Sequence, residues 1–563
     1  MAPVDKPPSG GRGARSKLGR LLAWTLGALV VFLAAPSFAE PGPVVHAPVG
    51  EIEGVSDGGL NVFKGVPYAL APTGARRWKP PVATPDWSGV HKAAHFGAAC
   101  YQPVYNVPGN IYADTLESMS EDCLSLNVWA PKTAHKLPVL VWIHGGALTT
   151  GASSEGVYDG AKLASRDIVV VSINYRLGVL GYLAHPELSA ESPEGLSGNY
   201  GLLDQIEALR WVKRNIAAFG GDPSNVTIAG ESAGGLSVMY LMASPPARGL
   251  FERAIAESAY MITTPELKTA KFGLPSSESQ GLALQAKLHM PNLAALRGMP
   301  AADLTNGAVM AGFLPFGSVD GKILQGQLVD VFDRGEQAPV PILAGFNNGE
   351  IRSLLGLLPP APKTAAEYEQ RIRNGYRDLA DEFLSLYPSS NIHESMLATT
   401  RDAMYGWTAE RLVKKQTGIG QPSYLYLWDH GYPAADGANL HAFHASEVPY
   451  VFGTPDRVGP NWPRIPHTPQ EAALSEAMVD YWTSFARDGR PRAANAPDWL
   501  AYGANGAYLR VEATPKMAEH VAPKAYALQE QVVCRRRAAG DVSWSINVGV
   551  IAPPLPPPDP RCR

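Results

Sequence analysis

Five residues constrain this chain more than any others: Gly230-Glu231-Ser232-Ala233-Gly234, directly after NVTIAG and before LSVMYLMA. NVTIAG reads as a buried strand and the apolar stretch after the motif as a helix. A turn from strand to helix this tight needs small residues at its ends, and it lifts the serine out at the top of a sheet. The segment therefore predicts a hydroxyl on a strained corner, where a serine can serve as a nucleophile.

Such a corner requires a sheet, and the chain supplies one. LPVLVWI, from Leu137 to Ile143, and DIVVVSINYR, from Asp167, are apolar and partly β-branched, as buried strands are. Between DIVVVSINYR and NVTIAG, residues Leu202, Ile206, Leu209, Val212 and Ile216 recur at helical spacing and stop at Gly220 and Gly221. VPILAGFN near Val340 and SYLYLWDH near Ser423 read as two more strands, and GEIEGV and LNVFKGVPYA as short extended pieces before them. Continuous apolar strands separated by amphipathic helices predict an α/β chain with a sheet covered on both faces. Residues 264–335 and 364–417 lack clear strands and read as helix-rich insertions over the carboxyl edge of the sheet. AALSEAMVDYWTSFARDG and MAEHVAPKAYALQEQVV are the last helix candidates, and IAPPLPPPDP is a proline-rich, extended tail. The expected layout is residues 1–39 as a signal, 40–534 as the body and 535–563 as the tail.

A serine hydroxyl needs a base to take its proton and an acid to orient that base, and around this kind of turn both follow the serine in the chain. The histidines after Ser232 include His289, His393, His430, His441, His444, His467 and His520. His444, in HAFHASEVPYVFG, suits a base at a sheet edge, with His441 its close competitor. Glu350, at the end of VPILAGFNNGE, is the first candidate acid, with Asp320 and Asp333 as alternatives. VLVWI runs into His144-Gly145-Gly146-Ala147, where two glycines let backbone N–H groups approach a developing oxyanion. The Ala233 N–H is a further donor. The cysteines are not in close pairs and there is no HExxH, so zinc is not expected, and acyl transfer through a serine requires no metal or organic cofactor.

Composition narrows the rest. At 45% hydrophobic and 18% charged the chain is an ordinary globular one, and a net charge of -4 with no basic stripe leaves no footprint for nucleic acid. The first forty residues differ. Arg12, Arg15, Lys17 and Arg20 precede an apolar run from Leu21 to Pro36, and Ser37 and Ala39 precede Glu40. This is the order of an export signal, and the run is short for a membrane anchor. The expected location is periplasmic or secreted, with no stable membrane insertion after signal removal. Of the 4 cysteines, Cys100 and Cys123 suggest a local bridge, and Cys534 with Cys562 would tie down the tail.

In order along the chain, VFKGVPYA, RRWKPP, SEDCLSLNVW, VWIHGGA, NYRLG, GNYGLLDQ, FGGDP, GESAGG and VPYVFG resemble the type-B carboxylesterase family, over roughly residues 45–531. The resemblance implies the α/β-hydrolase fold and a serine hydrolase that acts through an acyl-enzyme on small to medium carboxylic esters. It implies Ser232 as nucleophile, Glu350 as acid from the G-x-N-x-x-E arrangement at Gly345, and His444 as base, with Glu447 as a trailing acid. Gly146, Ala147 and Ala233 become the oxyanion donors, with Gly145 and Glu231 in support; Ala147 departs from the commonest triple glycine. Cys100 and Cys123 match the family's first disulfide. Glu121 and Arg176 resemble a structural partner pair. Ser258 matches a family serine near the acid, but ESA stands for the usual QSG, so Glu257 is a departure. Phe313, Leu314 and Phe316 stand near the family's acyl pocket and suggest an apolar wall, core packing being the other reading. No tryptophan lies between Cys100 and Cys123, and Tyr101, Tyr105 and Tyr112 make no clear cage for a quaternary ammonium, which argues against choline esters. The alternatives are an esterase specialised for an antibiotic, toxin or polyester, and a non-enzymatic binding protein on the same scaffold.

Overall fold

Alternation along the buried strands divides the interior in two. Val139, Val141 and Ile143 belong to one apolar cluster, and Leu140 and Trp142 to another on the opposite face. A strand covered on both faces has no polar side, which is why these runs are continuously apolar in sequence. Each such side chain contributes about 1.5–3 kcal/mol by leaving water. The computed structural model describes residues 42–104, 109–544 and 546–562; the expected signal, residues 1–39, and Tyr105 lie outside them.

The main sheet has 11 strands. In chain order they are β1 (Val55–Asp57), β2 (Leu60–Pro67), β3 (Ser125–Pro131), β4 (Leu137–Ile143), β5 (Val169–Ile173) and β6 (Gly221–Glu231). Then come β7 (Arg253–Glu257), β8 (Ile342–Asn347), β9 (Ser423–Trp428), β10 (Ala507–Val511) and β11 (Lys516–Glu519). Their spatial order is β11-β10-β9-β8-β7-β6-β4-β5-β3-β2-β1. From β10 to β5 neighbours run parallel, and antiparallel strands close both edges. This is an α/β-hydrolase sheet with helices on both sides. The chain passes from β4 to β5 on one side and returns to β6 on the other, so the winding reverses at β4. A crevice opens outside the carboxyl ends of strands at such a reversal. Ile143 pairs with Gly230, which sets the loop after β4 beside Ser232.

The helices follow the same logic. α1 (Tyr200–Asn215) buries Leu202, Ile206, Leu209 and Val212 on one face, and left-handed Gly220 ends the turn after it. α2 (Ala233–Ala243) is buried at every residue, as expected of a helix apolar all round. α3 (Pro469–Asp488) starts on Thr468, whose hydroxyl accepts from Glu471 N, and stops at left-handed Gly489. No strand interrupts residues 264–335 or 364–417, which are helical insertions as expected. No helix among the described residues is long and apolar enough to cross a membrane.

Two sequence expectations change. MAEH is not helical: Met517, Ala518 and Glu519 lie in β11, antiparallel to β10, His520 follows the strand, and α4 (Pro523–Ala539) starts only at the proline. Proline fits the first turn of a helix and disfavours helix in the residue before it. α4 also runs through residue 534, so the tail begins later than drawn. That tail is packed down: Trp544 lies against Phe272, Leu555 is buried, and Leu555 N donates to Gly375 O at 2.8 Å. Disulfides join Cys100 to Cys123 and Cys534 to Cys562.

Candidate active site

The corner after β6 has the strain its sequence predicts. Ser232 has φ 57° and ψ -118°, outside the regions open to most L-residues. Its glycines explain themselves by contact. A Cβ on Gly234 would stand 2.0 Å from Ile143 O, and one on Gly230 2.6 Å from the Gly234 carbonyl carbon. Ser232 N donates to Glu257 O at 2.9 Å, which ties the corner to β7. Gly145 presses on the same corner: a Cβ there would lie 2.8 Å from Glu231 Oε2 and 3.3 Å from Ser232 Cβ.

His444 and Glu350 come from loops 94 residues apart, and His444 Nδ1 is hydrogen-bonded to Glu350 Oε2. The other oxygen, Glu350 Oε1, accepts from Asn347 N at 2.8 Å. Glu350 is fully buried on the turn after β8. With Nδ1 committed, the Nε2 edge of His444 faces the Ser232 corner, where Glu231 Oε1 stands 3.1 Å away. That approach lies off the hydrogen-bonding direction, for Glu231 Oε1 has no hydrogen-bond partner. Among the described residues Ser232 and His444 share no hydrogen bond, a geometry that often tightens once substrate is bound. Burial pushes the His444 imidazole down, but Glu231, Glu350 and Glu447 outweigh it and hold the pKa up at about 9. Burial raises Glu231 to about 8 and Glu447 to about 7.

The loop after β4 is held from behind. His144 stacks on Tyr175 at 4.5 Å, Tyr175 Oη donates to His144 O at 2.8 Å, and burial lowers the His144 pKa to about 4, leaving it neutral. Gly146 has φ 99°, and Ala147 follows at φ 55°, strained for an L-residue. Thr149 N and Thr150 N both donate to Gly146 O, closing the turn. Among the described residues the N–H groups of Gly146, Ala147 and Ala233 have no acceptor, so all three are free for an oxyanion.

The carboxylesterase family model matches residues 41–529. The chain belongs to the carboxylesterase family. Fumonisin B1 esterase of Sphingopyxis macrogoltabida is 35% identical over 508 residues, covering 86% of this chain and 89% of that protein. Para-nitrobenzyl esterase of Bacillus subtilis (strain 168) is 36% identical over 473 residues, covering 82% and 92%. A solved PNB esterase structure aligns with a TM-score of 0.76 at 30% identity, covering 86% of this chain and 99% of that one. The protein is a serine carboxylesterase, acting on small to medium carboxylic esters.

In this carboxylesterase the rival acids and base are occupied elsewhere. His441 sits on the surface against Asp436, Asp320 caps its own loop, and Asp333 pairs with Arg411, Lys415 and Arg537. The expected Glu121–Arg176 pair does not form. Arg176 gives Nε and Nη2 to Asp204 at 2.7 Å each, and Glu121 is held bidentately by Arg77, from RRWKPP, at 2.7 and 2.6 Å. A guanidinium fork filled by one carboxylate has no second face for another. The suggested apolar wall also shifts. Phe313 packs on the Trp78 cluster, Phe316 on the main core, and Leu314 is 64% exposed. The rings beside His444 are instead Tyr405 at 5.3 Å and Tyr112 at 6.4 Å, with Tyr112 Oη donating to His444 O at 2.9 Å and hydrogen-bonded to Ser353 Oγ at 2.7 Å. Ser258 is buried with φ 44°, and its hydroxyl has no partner among the described residues. Asn347 is the member that motif reading passed over, though it stands inside the G-x-N-x-x-E arrangement. Its Nδ2 donates to Glu447 Oε2 at 2.5 Å and to Phe443 O at 2.7 Å.

Proposed function

We propose that Ser232, His444 and Glu350 perform acyl transfer to water in this carboxylesterase. The observation that carries the reading is the His444 ring, bound at Nδ1 by buried Glu350 and turned at Nε2 toward the Ser232 corner. His444 takes the Ser232 proton as Oγ attacks the ester carbonyl, and Glu350 stabilises the imidazolium. The N–H groups of Gly146, Ala147 and Ala233 receive the oxyanion; each fixed donor of this kind contributes on the order of 10²–10³ in rate. The alcohol leaves with the proton from His444. Water, deprotonated by His444, then releases the acid.

The reading predicts that Ser232→Ala abolishes both burst release of alcohol from an activated aryl ester and labelling by an organophosphonate. A burst retained in that variant would move the nucleophile elsewhere. Initial rates on acetyl, butyryl and octanoyl aryl esters, with fumonisin B1 as a further arm, separate a general esterase from a specialised one. The 35% identity to fumonisin B1 esterase favours including that compound. The reading also includes export to the periplasm or the medium. The basic-apolar-small order of residues 1–39 supports it, as do two disulfides, which persist in oxidising compartments. Amino-terminal sequencing of the exported protein tests it, and a mature chain that still begins at Met1 would refute cleavage.

A further inference from the structure

The proposed mechanism leaves one buried acid unused. Glu257 ends β7 with no exposed surface. Register places Glu231, Glu257, Gly345 and Tyr426 in one row across β6, β7, β8 and β9, at the edge that carries Ser232. Members of such a row share a face, and the Tyr426 ring fills the space over Gly345, where a Cβ would stand 2.2 Å from it. Glu257 Oε1 accepts from Trp482 Nε1, on α3, at 2.9 Å. Glu257 Oε2 is buried with no hydrogen-bond partner among the described residues.

Glu447 has the matching gap. Its Oε2 accepts from Asn347, and its Oε1 is buried without a donor. Glu447 is the charge that acts most strongly on Glu257, with Glu231 next. Glu350 and His444 also act on the Glu447 charge, the first opposing it and the second favouring it. The Tyr426 hydroxyl feels the charges of Glu447, Glu257, Glu350 and Glu231 yet donates to none of them. Two buried carboxylates that repel each other this strongly, each with an orphaned oxygen, do not both ionise. One shared proton satisfies both oxygens and leaves the pair with a single negative charge.

We propose that Glu257 is the protonated partner of Glu447, with Oε2–H donating to Glu447 Oε1, and that this acid pair positions Asn347 and, through it, the Glu350–His444 bond. The proposal rests on the reading of Glu350 and His444 as acid and base. Glu257 is a positioning residue: it acts through Glu447 Oε2, Asn347 Nδ2 and the Asn347 N–H that Glu350 accepts. When the shared proton is lost at high pH, two facing anions remain and the Asn347 anchor is released. The pair therefore sets an alkaline limit to activity.

The test compares kcat/KM against pH for the wild type and Glu257→Gln, alongside infrared spectra of each. A glutamine amide donates to Glu447 at every pH and still accepts from Trp482, so the alkaline limb should move up by about one pH unit or more. Glu257→Ala should lower kcat with little change in KM, and Gln should restore it. The wild-type-minus-Gln spectrum at neutral pH should contain the carbonyl stretch of a protonated carboxyl. That difference band should titrate with the midpoint of the wild-type alkaline limb, and Glu447→Gln supplies a second difference spectrum if Glu257→Gln fails to fold. Superimposed limbs, no such band, or a band with a different midpoint would overturn the proposal. The band should persist in Ser232→Ala, so an error in the nucleophile leaves this readout intact.

Discussion

His444 shows how far one residue depends on its surroundings. Burial alone would favour the neutral ring, yet three carboxylates hold its pKa at about 9. Glu231, one position before Ser232, is the largest of these raising influences. Removing its charge makes the ring easier to deprotonate, and the base must be neutral to act. Glu231→Gln should therefore shift the acid limb of kcat/KM to lower pH, read from a pH–rate profile on a neutral aryl ester. An unmoved limb would mean that Glu231 is already neutral across that range. Ala147 illustrates a different independence. Its N–H is free whatever its side chain, because the donor belongs to the backbone turn closed on Gly146 O.

Among the elements, the tail shows what a covalent link adds to weak packing. α4 and the segment after it lie over the helical insertion, and Cys534–Cys562 closes a loop with a sequence separation of 28. In the chain-entropy account a loop of that length stabilises by about 3–4 kcal/mol. Replacing both cysteines by serine should lower Tm by several degrees while leaving the ester-hydrolysis rate intact, since neither residue touches His444 or Ser232. Calorimetry with a parallel kinetic assay checks this, and a lost rate at unchanged Tm would give the tail a direct part in the site. The strand-corner-helix unit of β6, Ser232 and α2 behaves oppositely. It is held by backbone contacts of Gly230 and Gly234, so its geometry is local and readable from five residues.

For the folded chain, the buried acids set how stability varies with pH. Burial raises Glu155 to about 8 and Glu447 to about 7, and neighbouring carboxylates raise His444, after burial has opposed them, to about 9. Each then binds more protons folded than unfolded, so its stabilising contribution is full below the unfolded pKa and lost as pH rises through the folded one. Glu191, lowered to about 2 by its Arg297 hydrogen bond, works the other way: its contribution is present above the unfolded value and lost in acid. Tm should be highest near pH 5 and fall toward pH 9. A scanning-calorimetry series across that range tests it, and a Tm that rises with pH would contradict these protonation states.

Short-range patterns were legible in the chain because their causes are short-range. Alternating clusters on β4 require a continuous apolar run, and a tight corner requires Gly230 and Gly234. The loop after β4 likewise needs glycine at φ 99°. Choosing Glu350 and His444 over their rivals took the family resemblance, since several carboxylates and histidines suited the order along the chain equally well. Packing decided the rest. Arg176 took Asp204, 28 residues away, and left Glu121 to Arg77. MAEH became a strand because the edge of β10 offered backbone partners that outweigh a weak helical preference. Tyr112 and Tyr405, not Phe313 or Leu314, came to stand beside His444. Each of these outcomes depends on which distant groups reach one another first in a filled interior, where a charge or a ring excludes its competitors, and no local pattern encodes that competition.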